Sequence, residues 1–193
     1  MKKLFLTIAV ATCLFSAKAQ NWKLDQAHTN ITFTTEYLVV SELEGSFKKF
    51  DGTFTSSKPD FSDIQINFNV DVNSVNTENE MRDKHLKSDD FFNAEKFPKM
   101  SFKSSSIKKS DAKKYILEGE LTIRDVTKKV KFDVTYGGTV NDPWGNTKAG
   151  FKATTKINRK EYGLKYNAAL ESGGMVAGDE VTININTILI KQK

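Results

Sequence analysis

The chain has almost no cysteine: Cys13 is the only one among its 193 residues. It lies in an apolar run at residues 4–15, which follows Lys2-Lys3 and precedes a small-x-small sequence at residues 17–19. This order is typical of a secretory signal peptide cleaved before Gln20, and the run is too short for a permanent membrane helix, which needs about 20 apolar residues. Removal of residues 1–19 leaves a chain without cysteine, which excludes disulfides, thiol redox chemistry and thiolate metal sites.

The alternative is a lipoprotein signal that ends at Cys13. Thr12 directly before the cysteine and the apolar residues that continue beyond it argue against this alternative. We therefore expect the mature chain to begin at Gln20, to have no transmembrane segment and to be periplasmic.

An excess of either charge is also missing from the expected mature chain. The full sequence has 29 basic and 24 acidic residues, but three of its lysines lie in residues 1–19, which leaves 26 basic residues. The composition therefore gives no reason to expect a nucleic-acid partner. The remaining 174 residues suit one domain, since a chain of about 150 residues already buries some 70% of its unfolded surface.

Long helical periodicity is absent, and alternation of apolar and polar residues takes its place. The clearest case is residues 64–72, where isoleucine, phenylalanine and valine occupy every second position. Similar runs cover residues 28–38, 43–54, 100–107, 115–123, 130–136, 149–157 and 181–189. About eight short strands predict a single all-β antiparallel barrel spanning residues 20–193.

Irregular features of the pattern predict local structure. The apolar parity shifts near Lys48-Lys49, which indicates a β-bulge or a sharp bend. Residues 137–146 are expected to form a longer loop. Residues 124–127 are expected to form a turn in which Asp125 adopts the left-handed backbone.

One stretch, residues 77–98, interrupts the strand pattern, and we call it the lid segment. Thr77 and Glu80 have capping-box spacing, and Met81, His85 and Leu86 then recur at helical spacing. Phe91-Phe92 and Phe97-Pro98 follow directly. The stretch predicts a short helix and an aromatic plug inserted between two strands.

The lid segment also carries a resemblance to a known family. The motifs in and just after it are Arg82-Asp83-x-His85-Leu86, Ser88-x-Asp90-Phe91-Phe92-x-Ala94-x-x-Phe97-Pro98 and Phe102-x-Ser104. Further motifs are Leu24-Asp25-x-Ala27-His28-Thr29, Gly45-x-Phe47-x-x-Phe50-x-Gly52, Gly119-Glu120-Leu121-Thr122-Ile123, Ile157-Asn158-Arg159-x-x-x-Gly163-Leu164 and Val176-x-Gly178-Asp179-x-Val181. Together they resemble the YceI-like family of lipocalin-like, polyisoprenoid-binding exported bacterial proteins. Two positions depart from the family pattern, with Tyr37 where histidine is common and Asp125 where glycine is usual.

The resemblance implies a non-enzymatic carrier whose barrel holds an apolar chain. The ligand would be a polyisoprenoid of the quinone or prenyl phosphate type, or a fatty acyl amide. No cofactor is expected apart from this bound lipid. The candidate ligand-binding residues are Ile31, Phe33, Tyr37, Phe47, Phe68, Arg82, His85, Phe91, Phe92, Phe102, Leu121, Ile123, Phe132 and Phe151. Arg82 and His85 share a helix face and can meet a polar head group there.

Several alternatives remain open at this stage. Inward glycines such as Gly45 and Gly119 either leave space for a ligand or let bulky neighbours interdigitate. Arg82 either meets a head group or pairs with Asp83 or Asp90, and His85 either joins it or hydrogen-bonds the plug. Three functions are alternatives to a lipid carrier: an enzyme that acts on a lipid, a solid-core barrel that binds a partner, and a protein that binds a metal through its two histidines. A homodimer is compatible with all of these.

Overall fold

The computed structural model describes residues 19–171 and 173–193, and most of them lie in β-strands. The expected signal peptide lies outside the described residues apart from Ala19. The strands are β1 (Gln20–Leu24), β2 (Asn30–Tyr37), β3 (Ser41–Phe47), β4 (Phe50–Ser56), β5 (Gln65–Asp71), β6 (Val75–Asn76), β7 (Lys99–Asp111), β8 (Lys114–Ile123), β9 (Val126–Asn141), β10 (Thr147–Asn158) and β11 (Ala177–Lys191). The helix α1 spans Glu80–Lys87, and short 3₁₀ turns span Gln26–His28, Val72–Ser74 and Arg159–Tyr162.

These strands form the expected closed antiparallel barrel of eight positions. Strand β11 pairs with β10 along one edge, and along the other edge it pairs with β2 and then with β1. Strands β1 and β2 thus together fill one of the eight strand positions around the barrel. Strands β3 and β4 together fill a second position, and β5 and β6 a third. The other five positions are β7 to β11, so the prediction of an eight-stranded barrel is confirmed.

Of three local predictions, one holds and two change in detail. The parity shift at Lys48-Lys49 is the sharp bend of the two predicted alternatives, and it lies between β3 and β4. The predicted loop at residues 137–146 is wrong in extent, because β9 continues to Asn141. The left-handed residue in the β8–β9 turn is Arg124, with φ 56°, and not Asp125.

The inward glycines do not leave empty space, which decides between the two alternatives that the sequence left open. A side-chain carbon added at Gly52 would lie 2.7 Å from the Phe68 ring. Such a carbon would likewise collide with the Phe33 ring at Gly45 and with the Phe102 ring at Gly119. The glycines therefore let aromatic rings lie flat over the strands, as in the interdigitation alternative.

The two ends of the barrel are built differently. At the end that we call the lid end lie the lid segment, the β2–β3 turn at residues 38–40, the β8–β9 turn and the loop that follows β10, described at residues 159–171 and 173–176. At the opposite end, the closed end, lie the loop at residues 57–63 and the hairpin turns at 112–113 and 142–146. The lid segment enters between β6 and β7, as predicted for an insertion between two strands.

Candidate ligand cavity and its two ends

An apolar cavity of about 340 Å³ lies inside the barrel. This volume is within the range of about 300 to 1,000 Å³ that small-molecule sites occupy. All fourteen candidate residues line the cavity: Ile31, Phe33, Tyr37, Phe47, Phe68, Arg82, His85, Phe91, Phe92, Phe102, Leu121, Ile123, Phe132 and Phe151. The structure thus brings the candidates together, while their contact with a ligand stays a prediction.

Phe61 seals the closed end of the cavity. Its ring centroid lies 4.9 Å from that of Trp22, 5.5 Å from Tyr136 and 5.0 Å from Phe151, and the residue is only 2% exposed. It adopts φ 59°, an uncommon conformation for a bulky residue. The loop at residues 57–63 therefore folds into the barrel and closes it with an aromatic ring, which the strand pattern did not predict.

Asp63 holds this closing loop in place. Its carboxylate accepts hydrogen bonds from the Ser56 hydroxyl at 2.5 Å, from the Ser57 hydroxyl, and from the backbone N–H groups of Ser57 and Lys58 at 2.9 and 3.2 Å. Burial by itself raises the pKa of Asp63, but these hydrogen bonds outweigh burial and hold the pKa well below its usual value. The closing loop is thus anchored by an ionised carboxylate.

The lid helix α1 is held less firmly. Its N-cap is Asn79, whose side chain accepts a hydrogen bond from the Arg82 N–H at 3.0 Å, so the predicted capping box is wrong. Thr77 instead donates its N–H and its hydroxyl to Asp83, at 2.8 and 2.6 Å. None of the helix residues is buried, and Met81 points to solvent rather than sharing an inner face with His85.

The adjacent rings of Phe91 and Phe92 point to different neighbours. The Phe92 ring lies edge-on to Phe47 of the barrel wall, with centroids 5.8 Å apart. The Phe91 ring packs on His85 at 5.1 Å and on Tyr166 at 5.3 Å, and His85 and Tyr166 are themselves 4.6 Å apart. One ring therefore joins the lid segment to the wall, whereas the other belongs to an aromatic cluster at the cavity mouth.

Arg82 does not pair with either of the acids considered from the sequence. Its Nε donates to the Thr77 hydroxyl at 2.7 Å and its Nη2 donates to the Thr77 carbonyl at 2.6 Å. Neither bond uses Nη1, and the side chain lines the cavity. His85 Nε2 lies 2.8 Å from Asp90 Oδ2, which matches the alternative in which His85 hydrogen-bonds the plug.

Arg124 joins three parts of the lid end. Its Nη1 donates to the carbonyls of Phe91 and Gly163, both at 3.0 Å. Its guanidinium also lies 5.5 Å from the centre of the Phe97 ring. The β8–β9 turn therefore holds the lid segment against the loop that follows β10, a role that sequence reasoning missed.

Arg159 is a second residue that the sequence analysis did not single out. It is 5% exposed and lines the cavity, and it donates from Nε to the Gly178 carbonyl at 2.7 Å and from Nη1 to the carbonyls of Leu164 and Tyr166 at 2.7 and 2.8 Å. Burial lowers the pKa of this guanidinium. Its neighbours in the Ile157-Asn158-Arg159 motif were the available signal. Its partners are backbone carbonyls of the loop that directly follows it and of the start of β11.

The histidines lie apart, at different structural positions. His28 Nδ1 lies 3.0 Å from Asp25 Oδ2 near the β1–β2 junction, whereas His85 is in α1. In residues 19–171 and 173–193 no three side chains of histidine, cysteine or acidic type are grouped as metal ligands. In the same part of the chain no helix is long and apolar enough to cross a membrane.

A closed eight-stranded barrel with an apolar interior, sealed at one end and lidded at the other, defines a class of small binding barrels. Within that class, the chain belongs to the YceI-like family, whose domain matches residues 22–189. It is 38% identical over 162 residues to a UPF0312 protein of Staphylococcus aureus (strain USA300), covering 83% of this chain and 92% of that one.

Solved structures share the fold. A YceI protein of Campylobacter jejuni is 27% identical with a TM-score of 0.70, and the alignment covers 100% of both chains. BcnA of Burkholderia cenocepacia has a TM-score of 0.74 at 22% identity, with 86% of this chain and 98% of that chain covered. A polyisoprenoid-binding domain of Saccharophagus degradans has a TM-score of 0.62 at 13% identity, with 89% and 98% covered.

Proposed function

We propose that this protein binds one lipid, whose apolar chain occupies the barrel cavity. The observation that carries the proposal is the apolar tube itself, which is sealed by Phe61 at one end and covered by Phe91 and Phe92 at the other. Burial of about ten CH₂ groups contributes on the order of 8 kcal/mol before the costs of association, which is ample for a micromolar carrier.

The ligand class that we propose is a polyisoprenoid of the quinone or prenyl phosphate type, or a fatty acyl amide. The S. degradans barrel is described as polyisoprenoid-binding, and at 13% identity it shares the fold, so its name indicates what a barrel of this shape can hold. Arg82 and Tyr37 lie at the mouth and offer donors to a phosphate, a quinone carbonyl or an amide. The Arg82→Ala variant should weaken binding of geranylgeranyl phosphate more than binding of geranylgeraniol.

We propose binding rather than catalysis. His85, the one histidine that lines the described cavity, is hydrogen-bonded to Asp90 and lies edge-on to the rings of Phe91 and Tyr166, an arrangement that suits a structural role. The enzyme alternative predicts that geranylgeranyl phosphate changes when incubated with the pure protein. Recovery of the unaltered compound by mass spectrometry is the result that a carrier predicts.

Export is part of the proposal and rests on residues 1–19 of the sequence. N-terminal sequencing of the protein from its native host should find Gln20 first, in the periplasmic fraction. A lipidated Cys13 would instead make it a membrane-anchored lipoprotein.

The test of lipid binding is extraction of the purified protein with organic solvent, followed by mass spectrometry. We expect one amphiphilic lipid in near-stoichiometric amount. The Phe33→Arg variant places a charge inside the cavity and should lose this lipid, whereas Thr34→Arg, on the opposite face of β2, should keep it. A folded wild type that yields no lipid would favour the solid-core alternative, in which the barrel binds a partner by its outer surface.

A further inference from the structure

Exposed apolar side chains are concentrated around the mouth of the cavity. Val39 and Val40 in the β2–β3 turn are 54% and 85% exposed, and Tyr37, Tyr166 and Met175 beside them are also exposed. We call these residues the apolar rim: Tyr37, Val39, Val40, Tyr166 and Met175. Tyr37 and Tyr166 also line the cavity, so the rim and the cavity wall form one continuous apolar surface.

The backbone of the β2–β3 turn presents the two valines outward. Leu38 and Val39 have φ 56° and 64°, and a left-handed conformation is a genuine outlier for a β-branched residue such as valine. The turn is fixed by a hydrogen bond from the Leu38 N–H to the Val176 carbonyl at 2.9 Å. Strain of this kind persists where the surrounding structure imposes it and often marks a functional site.

We propose that the apolar rim inserts into the surface of a lipid bilayer, with the cavity mouth facing the membrane. This inference rests on the proposed lipid-binding function. A lipid that moves between the bilayer and the cavity along Tyr37 and Tyr166 does not expose its chain to water, which removes most of the barrier to transfer. Tyrosine also suits the membrane interface, because its ring is apolar and its hydroxyl is polar.

The charges beside the rim indicate which forces hold it on the membrane. Residues 36–44 contain Glu36, Glu42 and Glu44 and no lysine or arginine. Anionic lipids attract basic segments, so attraction of this kind is absent from the turn. Residues 165–176, which hold Tyr166 and Met175, contain one lysine, Lys165, and one glutamate, Glu171, so the segments of the rim together carry a negative net charge. The rim should therefore bind uncharged phosphatidylcholine vesicles at least as well as vesicles containing phosphatidylglycerol, and added salt should not release it.

The test compares two variants in vesicle flotation. The double variant Val39→Ser/Val40→Ser should bind phosphatidylcholine vesicles roughly tenfold more weakly than the wild type, because it removes two membrane-inserting side chains. The matched control is Trp144→Ser, since Trp144 is 81% exposed but lies in the β9–β10 turn at the closed end. The control should bind vesicles as the wild type does.

Solvent extraction of the same preparations separates this inference from the proposed function. Val39 and Val40 do not line the cavity, so the double variant should still contain its co-purified lipid. Lipid in every preparation without vesicle binding by the wild type would overturn membrane docking and leave the carrier function standing. Equal weakening of vesicle binding by Trp144→Ser would also overturn docking. So would a wild-type protein that is dimeric and a double variant that is monomeric but binds vesicles equally well.

Discussion

The closed end and the lid end of this barrel are both covered, but by different means. At the closed end a buried ring, Phe61, is surrounded by three aromatic rings, and its loop is anchored by an ionised carboxylate, Asp63. At the lid end the cover is an eight-residue helix without a buried residue, joined to the wall through the ring of Phe92 and the guanidinium of Arg124.

This difference indicates which end of the barrel can open. A segment with few buried apolar contacts opens locally at a lower free energy than one that is packed into the core. The lid segment should therefore move while the closed end stays fixed, which allows a ligand to enter and leave through the lid end. Substitutions at the closed end should change global stability, and those at the lid end should change ligand exchange.

The largest effect is expected at Phe61. The Phe61→Ala variant removes a fully buried ring and should lower the free energy of unfolding by about 3 to 5 kcal/mol. Denaturant titration followed by circular dichroism measures this loss. A loss below about 1 kcal/mol would mean that the closed end is not a packed seal and would remove the contrast with the lid end.

Smaller effects are expected at the two lid phenylalanines, on stability at Phe92 and on ligand release at Phe91. Phe92→Ala should destabilise the protein by about 2 to 3 kcal/mol, because it removes a partly buried ring that contacts Phe47 of the wall. Phe91→Ala should cost less stability and mainly speed the release of geranylgeraniol, because its ring packs on His85 and Tyr166 at the cavity mouth. Stopped-flow release and denaturant titration test the pair. Equal losses of stability with unchanged release in both variants would show that the lid segment is only core.

Arg124 should affect the lid more than the barrel. The Arg124→Ala variant loses the hydrogen bonds to the Phe91 and Gly163 carbonyls and should destabilise the protein by about 1 to 2 kcal/mol while speeding ligand release. Arg124→Lys is the matched control for charge: it keeps the cation but cannot reproduce the planar fork, so it should resemble the alanine variant in release rate. A lysine variant with wild-type release would indicate that charge alone holds the lid.

The contribution of Asp63 should depend on pH: the difference in stability between wild type and Asp63→Asn should be largest near neutral pH and should shrink in acid. Its pKa is depressed in the folded state, so its stabilising contribution is present above the unfolded pKa near 4 and is lost as the pH falls toward the folded value. Wild-type stability should therefore decline below pH ~4 more steeply than that of Asp63→Asn, which has no carboxylate to protonate. Denaturant midpoints at successive pH values measure this, and parallel declines would show that other carboxylates dominate.

The sequence predicted those parts of the molecule that depend on alternation. Inward residues such as Phe33, Phe68 and Leu121 follow from a period of two, which is why the barrel and the composition of its cavity wall could be anticipated. Phe61 could not, because a single apolar residue in a polar loop carries no periodicity. Arg124 and Arg159 were missed because their partners are backbone carbonyls, which leave no pattern in the sequence. Those of Arg124 lie 33 and 39 residues away, and two of those of Arg159 lie 5 and 7 residues away in an irregular loop.

The lid segment shows the limit of local signals. Thr77 and Glu80 have capping-box spacing, yet Asn79 caps the helix because Thr77 is already bound to Asp83 and Arg82. The inward glycines were ambiguous from the sequence, because whether a ring or a ligand fills the space above them depends on a neighbouring strand. In both cases tertiary contacts decided between two local structures that the sequence allowed.

The most direct test of the account is amide hydrogen exchange on the delipidated protein, before and after addition of geranylgeraniol. The N–H groups of Phe92 and Ala94, bonded to the Leu86 and Lys87 carbonyls, report on the lid, and those of Phe61 and Ile64 report on the closed end. We expect faster exchange at the lid, which the ligand slows, and slow exchange at the closed end, which the ligand leaves unchanged. Exchange at Phe61 and Ile64 that is as fast as at the lid, or protection by the ligand at the closed end alone, would contradict a barrel that opens at the lid end.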